Sequence, residues 1–86
     1  MKKVKILIVE DEPKVVAFLS KGLEEQGYEV DVAYDGQIGE KLALKEKYDL
    51  IILDVIIPFI NGIELSKRLR NKNIQVPILM LSLIHI

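Results

Sequence analysis

Four acidic residues stand where they could do chemistry. Glu10, Asp11 and Glu12 come directly after an apolar run at residues 4–9, and Asp54 comes directly after another, Leu50-Ile51-Ile52-Leu53. Carboxylates gathered in one place repel, and each resists ionising unless a cation balances them. A hard cation with oxygen ligands meets that need, and magnesium commonly takes one or two carboxylates while keeping several waters. Each acid also has a plainer use. Acidic residues in strand-to-helix loops cap helices and favour the positive end of the helix dipole. Glu12, just ahead of Pro13, is read as such a cap or as a solvated side chain. Asp54 gains nothing as an immediate cap, because Val55-Ile56-Ile57-Pro58 comes next. Its position is the one that asks for a function.

Bringing these acids together requires a particular sheet. Residues 4–9, 28–33, 50–53 and 76–81 are short apolar runs with helical patterns between them. Three of the runs are nearly continuous, which suits parallel strands buried on both faces. The second alternates, Tyr28, Val30 and Val32 apolar and Glu29 and Asp31 acidic, which suits a strand at the sheet edge with one wet face. Pro13 fits a first helical turn, Val15, Val16, Leu19 and Leu23 form one stripe, and Gly27 ends that helix. Asp35 and Gly36 open a second helix with Ile38, Leu42 and Ala43 expected to face inward. Asn61 caps a third, with Glu64 three residues on, Ile63, Leu65 and Leu69 as its stripe, and Asn71 and Asn73 closing it. The order βαβαβαβ implies an α/β fold with a parallel sheet and right-handed crossovers. With the second strand at the edge, the strand order is 2-1-3-4. In such sheets ligands bind outside the carboxyl ends of the strands where the order reverses, here between strands one and three. Glu10 or Asp11 and Asp54 are expected to meet there.

Composition narrows the class further. Eighty-six residues allow one small domain, and 50% hydrophobic with 29% charged residues is the make-up of a folding chain rather than a disordered one. Twelve Lys and Arg against thirteen Asp and Glu give a net charge of −1, which offers no bulk attraction to nucleic acid or an anionic membrane. The absence of Cys excludes a disulfide scaffold, a thiolate zinc site and a Cys nucleophile. The apolar run behind the basic start is too short for a signal-peptide core or a membrane span, so a cytoplasmic location is the default. Lys67, Arg68, Arg70 and Lys72 are read as a solvated patch at the negative end of the third helix.

The acids in this setting resemble those of the receiver domain of bacterial two-component response regulators. The resemblance spans residues 3–82. It rests on Glu10-Asp11 after strand one, Asp54 closing strand three, Pro58 four residues on, Gly62 eight residues on, and the hydroxyl residue Ser82 after Val76-Pro77-Ile78-Leu79-Met80-Leu81. The stretch from Asp54 to Gly62 is most similar to the OmpR/PhoB-type regulators, which carry a winged-helix DNA-binding domain downstream. The resemblance implies the three-layer flavodoxin-like receiver fold and a phosphoacceptor protein rather than an enzyme. Asp54 would accept a phosphoryl group from a sensor histidine kinase. Glu10 and Asp11 would hold Mg2+ together with Asp54 and the backbone carbonyl of Ile56. Pro58 and Gly62 would shape the loop beside it. Ser82 would be the switch hydroxyl, its plainer reading being a strand-end Ser that satisfies local backbone. The first helix, with Val15, Phe18 and Leu19, is where the family docks its kinase.

Two departures from the family pattern stand out. Leu83 occupies the position where the family has a small residue, and the lysine that ends the family's fifth strand has no counterpart. Lys14, Lys21, Lys45 and Lys67 fall on helices, where amines reach solvent. Residues 83–86 match nothing in the pattern, and His85 among them is read as incidental. The sequence is therefore read as a receiver over residues 1–82 with a non-matching tail at 83–86, its fifth strand and last two helices missing. Promoter DNA would be reached only through a missing effector domain. The fourth strand is then expected to be an apolar, uncharged edge prone to dimerise or aggregate. A flavodoxin-like module binding a small phosphate ligand is the alternative, along with a fragment without function. The flavodoxin reading needs a Ser, Thr or Gly loop donating N–H groups after strand one, and Glu10-Asp11-Glu12 carry the wrong charge for an anion. An aspartyl-phosphate hydrolase would need Asp-x-Asp there with a nearby Thr, and the chain has no Thr.

Overall fold

Strands β1 (Lys5–Val9) and β3 (Leu50–Asp54) consist almost wholly of Ile, Leu and Val, which fit a pleat covered on both faces. Beyond their first residues both are buried throughout. A computed structural model, which describes residues 2–82, sets them side by side in parallel, Ile6 opposite Leu50 and Val9 opposite Leu53. β2 (Glu29–Ala33) pairs along the free side of β1, and β4 (Ile78–Leu81) along the free side of β3, both parallel. The order is 2-1-3-4, the one that the alternating second strand demanded. Leu83, His85 and the rest of the expected tail lie outside the described residues.

Each helix begins at a residue suited to the task. Asp35 accepts the Ile38 N–H at 2.8 Å to start α2 (Gly36–Lys45), and Asn61 accepts the Glu64 N–H at 2.9 Å to start α3 (Gly62–Asn71). Glu12 is the N-cap of α1 (Pro13–Glu25), through a long contact of 3.4 Å to the Lys14 N–H. Gly27 stands just beyond α1 with φ 89°, a left-handed position that a side chain would strain.

The helices make two unequal outer layers. Leu7, Val9, Ile51 and Leu53 point to one face of the sheet and pack with Ala43 of α2 and Leu65 and Leu69 of α3. Ile6, Ile8 and Ile52 point to the other and meet Leu19 and Leu23 of α1. Two of the inward residues read from the sequence prove to be outside: Ile38 is 45% exposed and Ile63 is 50% exposed. The inward face of α2 is made of small residues instead, Gly36, Gly39 and Ala43, because the helix lies so close to β1 that a Cβ at Gly39 would stand 3.0 Å from the Val9 methyls. In α3 the buried residues Gly62, Leu65 and Leu69 hold one stripe, and Ile63 falls a helical step off it.

The two sheet edges differ. On β2, Glu29 and Asp31 flank the Lys5 amine at 3.6 and 3.8 Å, Glu46 meets the same amine at 2.6 Å, and the Tyr48 hydroxyl donates to Asp31 at 2.8 Å. Charge blunts that edge against pairing. β4 carries none, and Leu79 and Met80 stand 51% and 36% exposed. The basic patch of α3 is also occupied. Arg68 and Lys72 both reach Glu40 of α2 at 3.4 Å, and Arg70 donates to the Ile74 carbonyl at 2.6 Å.

Candidate functional site

Parallel strands finish at one side of a sheet, so β1 and β3 carry the residues after them to the same place. Val9 lies opposite Leu53, which sets Glu10 level with Asp54. The Glu10 N–H continues the β1–β2 ladder by one step, donating to the Ala33 carbonyl at 3.0 Å. Glu10 and Asp54 have no accessible surface, whereas Asp11 is exposed at the mouth. One carboxylate oxygen from each of Glu10, Asp11 and Asp54 lies within 4.8 Å of the others. The three acids singled out in the sequence therefore converge.

Their electrostatics are unbalanced without a cation. Burial pushes the Glu10 carboxyl up to about 7, the Glu12 N–H on its Oε1 at 2.9 Å works against the rise, and neighbouring Asp54 adds to it. Glu10 Oε2 is buried with no hydrogen-bond partner among the described residues. Asp54 Oδ1 accepts the Ile56 N–H at 3.2 Å, which orients its carboxylate. A set of three anionic oxygens with no sulfur or imidazole, one of them buried and orphaned, fits a hard divalent cation such as Mg2+.

The loop from Val55 to Asn61 is held at several points. The Gly62 N–H donates to the Val55 carbonyl at 2.9 Å, and the Gly36 N–H donates across from α2 to the Pro58 carbonyl at 3.1 Å. Phe59, between them, has φ 70° and is 77% exposed. A bulky residue in the left-handed region is strained by about 1–2 kcal/mol, and here little burial offsets it. Phe59→Asn, which tolerates that region, is expected to stabilise the fold by about 0.5–1 kcal/mol. Urea unfolding checks this, and an unchanged midpoint would show the loop to be relaxed.

Ser82 comes after Leu81, which lies opposite Asp54 in the β3–β4 register and accepts the Val55 N–H at 3.1 Å. The exposed Ser82 is thus at the same side of the sheet as the acids. Gly36 was legible only as a helix start, and nothing in the sequence announces its contact with Pro58. A cleft of about 570 Å3 lies where the strands begin, between Lys2, Tyr48, Asp49 and Val76, and contains none of these acids.

Residues 6–85 match the family described as the response regulator receiver domain. This chain belongs to that family. Over 78 residues the receiver is 49% identical to the transcriptional regulatory protein CusR of Escherichia coli and 49% identical to the alkaline phosphatase synthesis transcriptional regulatory protein PhoP of Bacillus subtilis. Each alignment takes in 91% of this chain but only 34% and 32% of those proteins, so the receiver spans about a third of the length of the curated relatives it matches. Among solved structures it superposes on the receiver domain of the Francisella response regulator 1452 with a TM-score of 0.91 and 36% identity, over 93% of this chain and 66% of that one. It also superposes on the receiver domain of a Pseudomonas aeruginosa sensor histidine kinase, PA1611, whose active-site cleft coordinates a magnesium ion. There the TM-score is 0.89 and the identity 29%, over 94% of this chain and 68% of that one. The four-stranded receiver sheet and its three helices adopt the flavodoxin-like pattern, and among the described residues no helix is long and apolar enough to cross a membrane.

Proposed function

We propose that Asp54 is the phosphoacceptor of this receiver, and that Glu10, Asp11, Asp54 and the Ile56 carbonyl hold a magnesium ion beside it. One observation carries the reading: a buried aspartate at the strand-order reversal lies within 4.8 Å of two further carboxylates, one of them buried as well. Phosphoryl transfer depends on positioning and on neutralising charge more than on covalent machinery, and bound magnesium supplies that neutralisation. The chain's own residues do the rest. An Asp54 carboxylate oxygen attacks the phosphorus of a kinase phosphohistidine. The O–P bond forms as the P–N bond breaks, and the imidazole leaves with the electron pair and takes up a proton. The Ile56 N–H on Oδ1 fixes the rotation of the attacking carboxylate. Ser82 then turns its hydroxyl toward a phosphoryl oxygen, while Pro58 and Gly62 hold the loop. On this reading the protein is a phosphoacceptor in the cytoplasm rather than an enzyme. Its receiver spans residues 1–82, its donor is a sensor histidine kinase, and its output is transcription, the role the relatives' names give, through a DNA-binding domain outside the receiver.

Acetyl phosphate with Mg2+ tests this. A single phosphoryl group should appear on Asp54. Asp54→Asn and removal of Mg2+ with EDTA should each abolish it. Modification that persists in Asp54→Asn would sink the assignment.

A further inference from the structure

Helix α2 touches both of the strand ends that deliver the acids, and it does so through glycines. Gly39 lies against Val9, the residue before Glu10, at a distance where even a Cβ would be 3.0 Å from both Val9 methyls. One turn earlier Gly36 lies against the loop that leaves Asp54. A Cβ on Gly36 would overlap the Ile60 carbonyl oxygen and stand 2.7 Å from Ile60 Cβ, and the Gly36 N–H already donates to the Pro58 carbonyl at 3.1 Å. Neither partner has room to yield. Ile60 is 8% exposed and packs with Leu53 and Leu65 in the core, and α2 is stopped on its other side by Val9.

We infer that Gly36 is a positioning residue of the acid site, setting the height of the Val55–Asn61 loop above β1 and with it the Ile56 carbonyl and N–H. The inference rests on the magnesium reading above. A methyl group at position 36 cannot push α2 into β1, so it displaces the loop. Asp54 itself is held in β3 by its ladder and moves least, while Ile56, two residues into the loop, moves away from the cation. Metal ligands whose supports are altered commonly lose about 10- to 100-fold in affinity.

The test is a magnesium titration of the 86-residue chain tracked by amide chemical shifts, in the parent, in Gly36→Ala and in Leu69→Ala. The last loses core packing at the far end of α3 and serves as a destabilised control. In the parent, residues 10, 11 and 54–56 should respond. In Gly36→Ala the affinity should fall about tenfold or more, with metal-free shifts already moved at Val55, Ile56 and Pro58's neighbours. Leu69→Ala should lose stability and keep the parent's affinity in its folded fraction. Ile60→Ala, which adds no atom and keeps the main-chain and Cβ contacts with Gly36 but removes the core packing against Leu53 and Leu65 that presses the loop onto it, should weaken magnesium in the same way and keeps the question open to refutation if Gly36→Ala does not fold. Parental affinity in a folded Gly36→Ala or Ile60→Ala would overturn the inference. No magnesium response in the parent would instead defeat the magnesium reading on which it rests.

Discussion

Gly62→Ala is expected to unfold the receiver or to lower its melting temperature by more than about 12 °C. A Cβ at this position would overlap the Asp54 carbonyl oxygen, and stand 2.9 Å from the Asp54 carbonyl carbon and 3.0 Å from Val55 Cα. All three are main-chain atoms at the end of an inner strand, so no side-chain rotation relieves the contact. The α3 side is equally fixed, since the Gly62 N–H is bonded to the Val55 carbonyl and Asn61 caps the helix. Overpacking typically costs about 1–3 kcal/mol, and backbone obstruction puts this case at or above the upper end. Each kcal/mol shifts the midpoint of so small a domain by about 4–8 °C. Gly22→Ala makes the comparison sharp. Gly22 is exposed in the middle of α1 with nothing within 4 Å of its would-be Cβ, so alanine there should stabilise by about 0.5–1 kcal/mol. Circular dichroism melts of the parent and both variants decide the matter. A Gly62→Ala midpoint within about 4 °C of the parent would show that the loop is free to shift.

Without magnesium, the receiver should become more stable as the solution is acidified from about pH 8 toward pH 5, the reverse of a domain whose carboxylates are paired. The Glu10 carboxyl is raised from 4.5 to about 7 in the folded protein, first by burial and then by Asp54. The folded state therefore binds this proton more tightly than the unfolded chain does. Its contribution is fully present below about pH 4.5 and is lost as pH rises through 7. Exposed Asp11 keeps water close to the site, so the swing is on the order of 1–3 kcal/mol rather than more. Magnesium should flatten or reverse the slope, because a cation favours the ionised carboxylates. Melting temperatures at several pH values, in EDTA and in MgCl2, give the result. Glu10→Gln removes the titrating group and should remove the slope in EDTA. A parent that loses stability on acidification, or a slope surviving in Glu10→Gln, would exclude Glu10 as its source.

The sequence disclosed most where one physical demand ruled. Unbroken Ile, Leu and Val in β1 and β3 could only be inner parallel strands, and the alternation in β2 put it at an edge, which fixed the order 2-1-3-4 and so the meeting of Glu10 with Asp54. Caps were equally legible at Asp35 and Asn61. It disclosed least where size outranked hydrophobicity. Ile38 and Ile63 look like core residues, yet α2 turns Gly39 and Ala43 inward to approach β1, and an apolar stripe counts neither glycine nor distance. The seat of the loop on Gly36 depends on two segments more than twenty residues apart in sequence and carries no local signature. The left-handed Phe59 was hidden for the opposite reason: most sequences put a permissive residue at such a point, and this one does not.

The central place of β1 has a consequence for how the protein is made. β1 leaves the ribosome before its β3 partner, which is paired with it from Leu50 to Leu53 and is synthesised some forty residues later. At about 5–20 residues per second, that interval is roughly 2–9 s. Throughout it, Ile6, Leu7, Ile8 and Val9, which end with almost no accessible surface, have only α1, β2 and, toward its close, α2 to shelter against. The strand that anchors the acid site is thus the nascent chain's most adhesive segment, and translation speed between Ala33 and Leu50 governs how long it stays so.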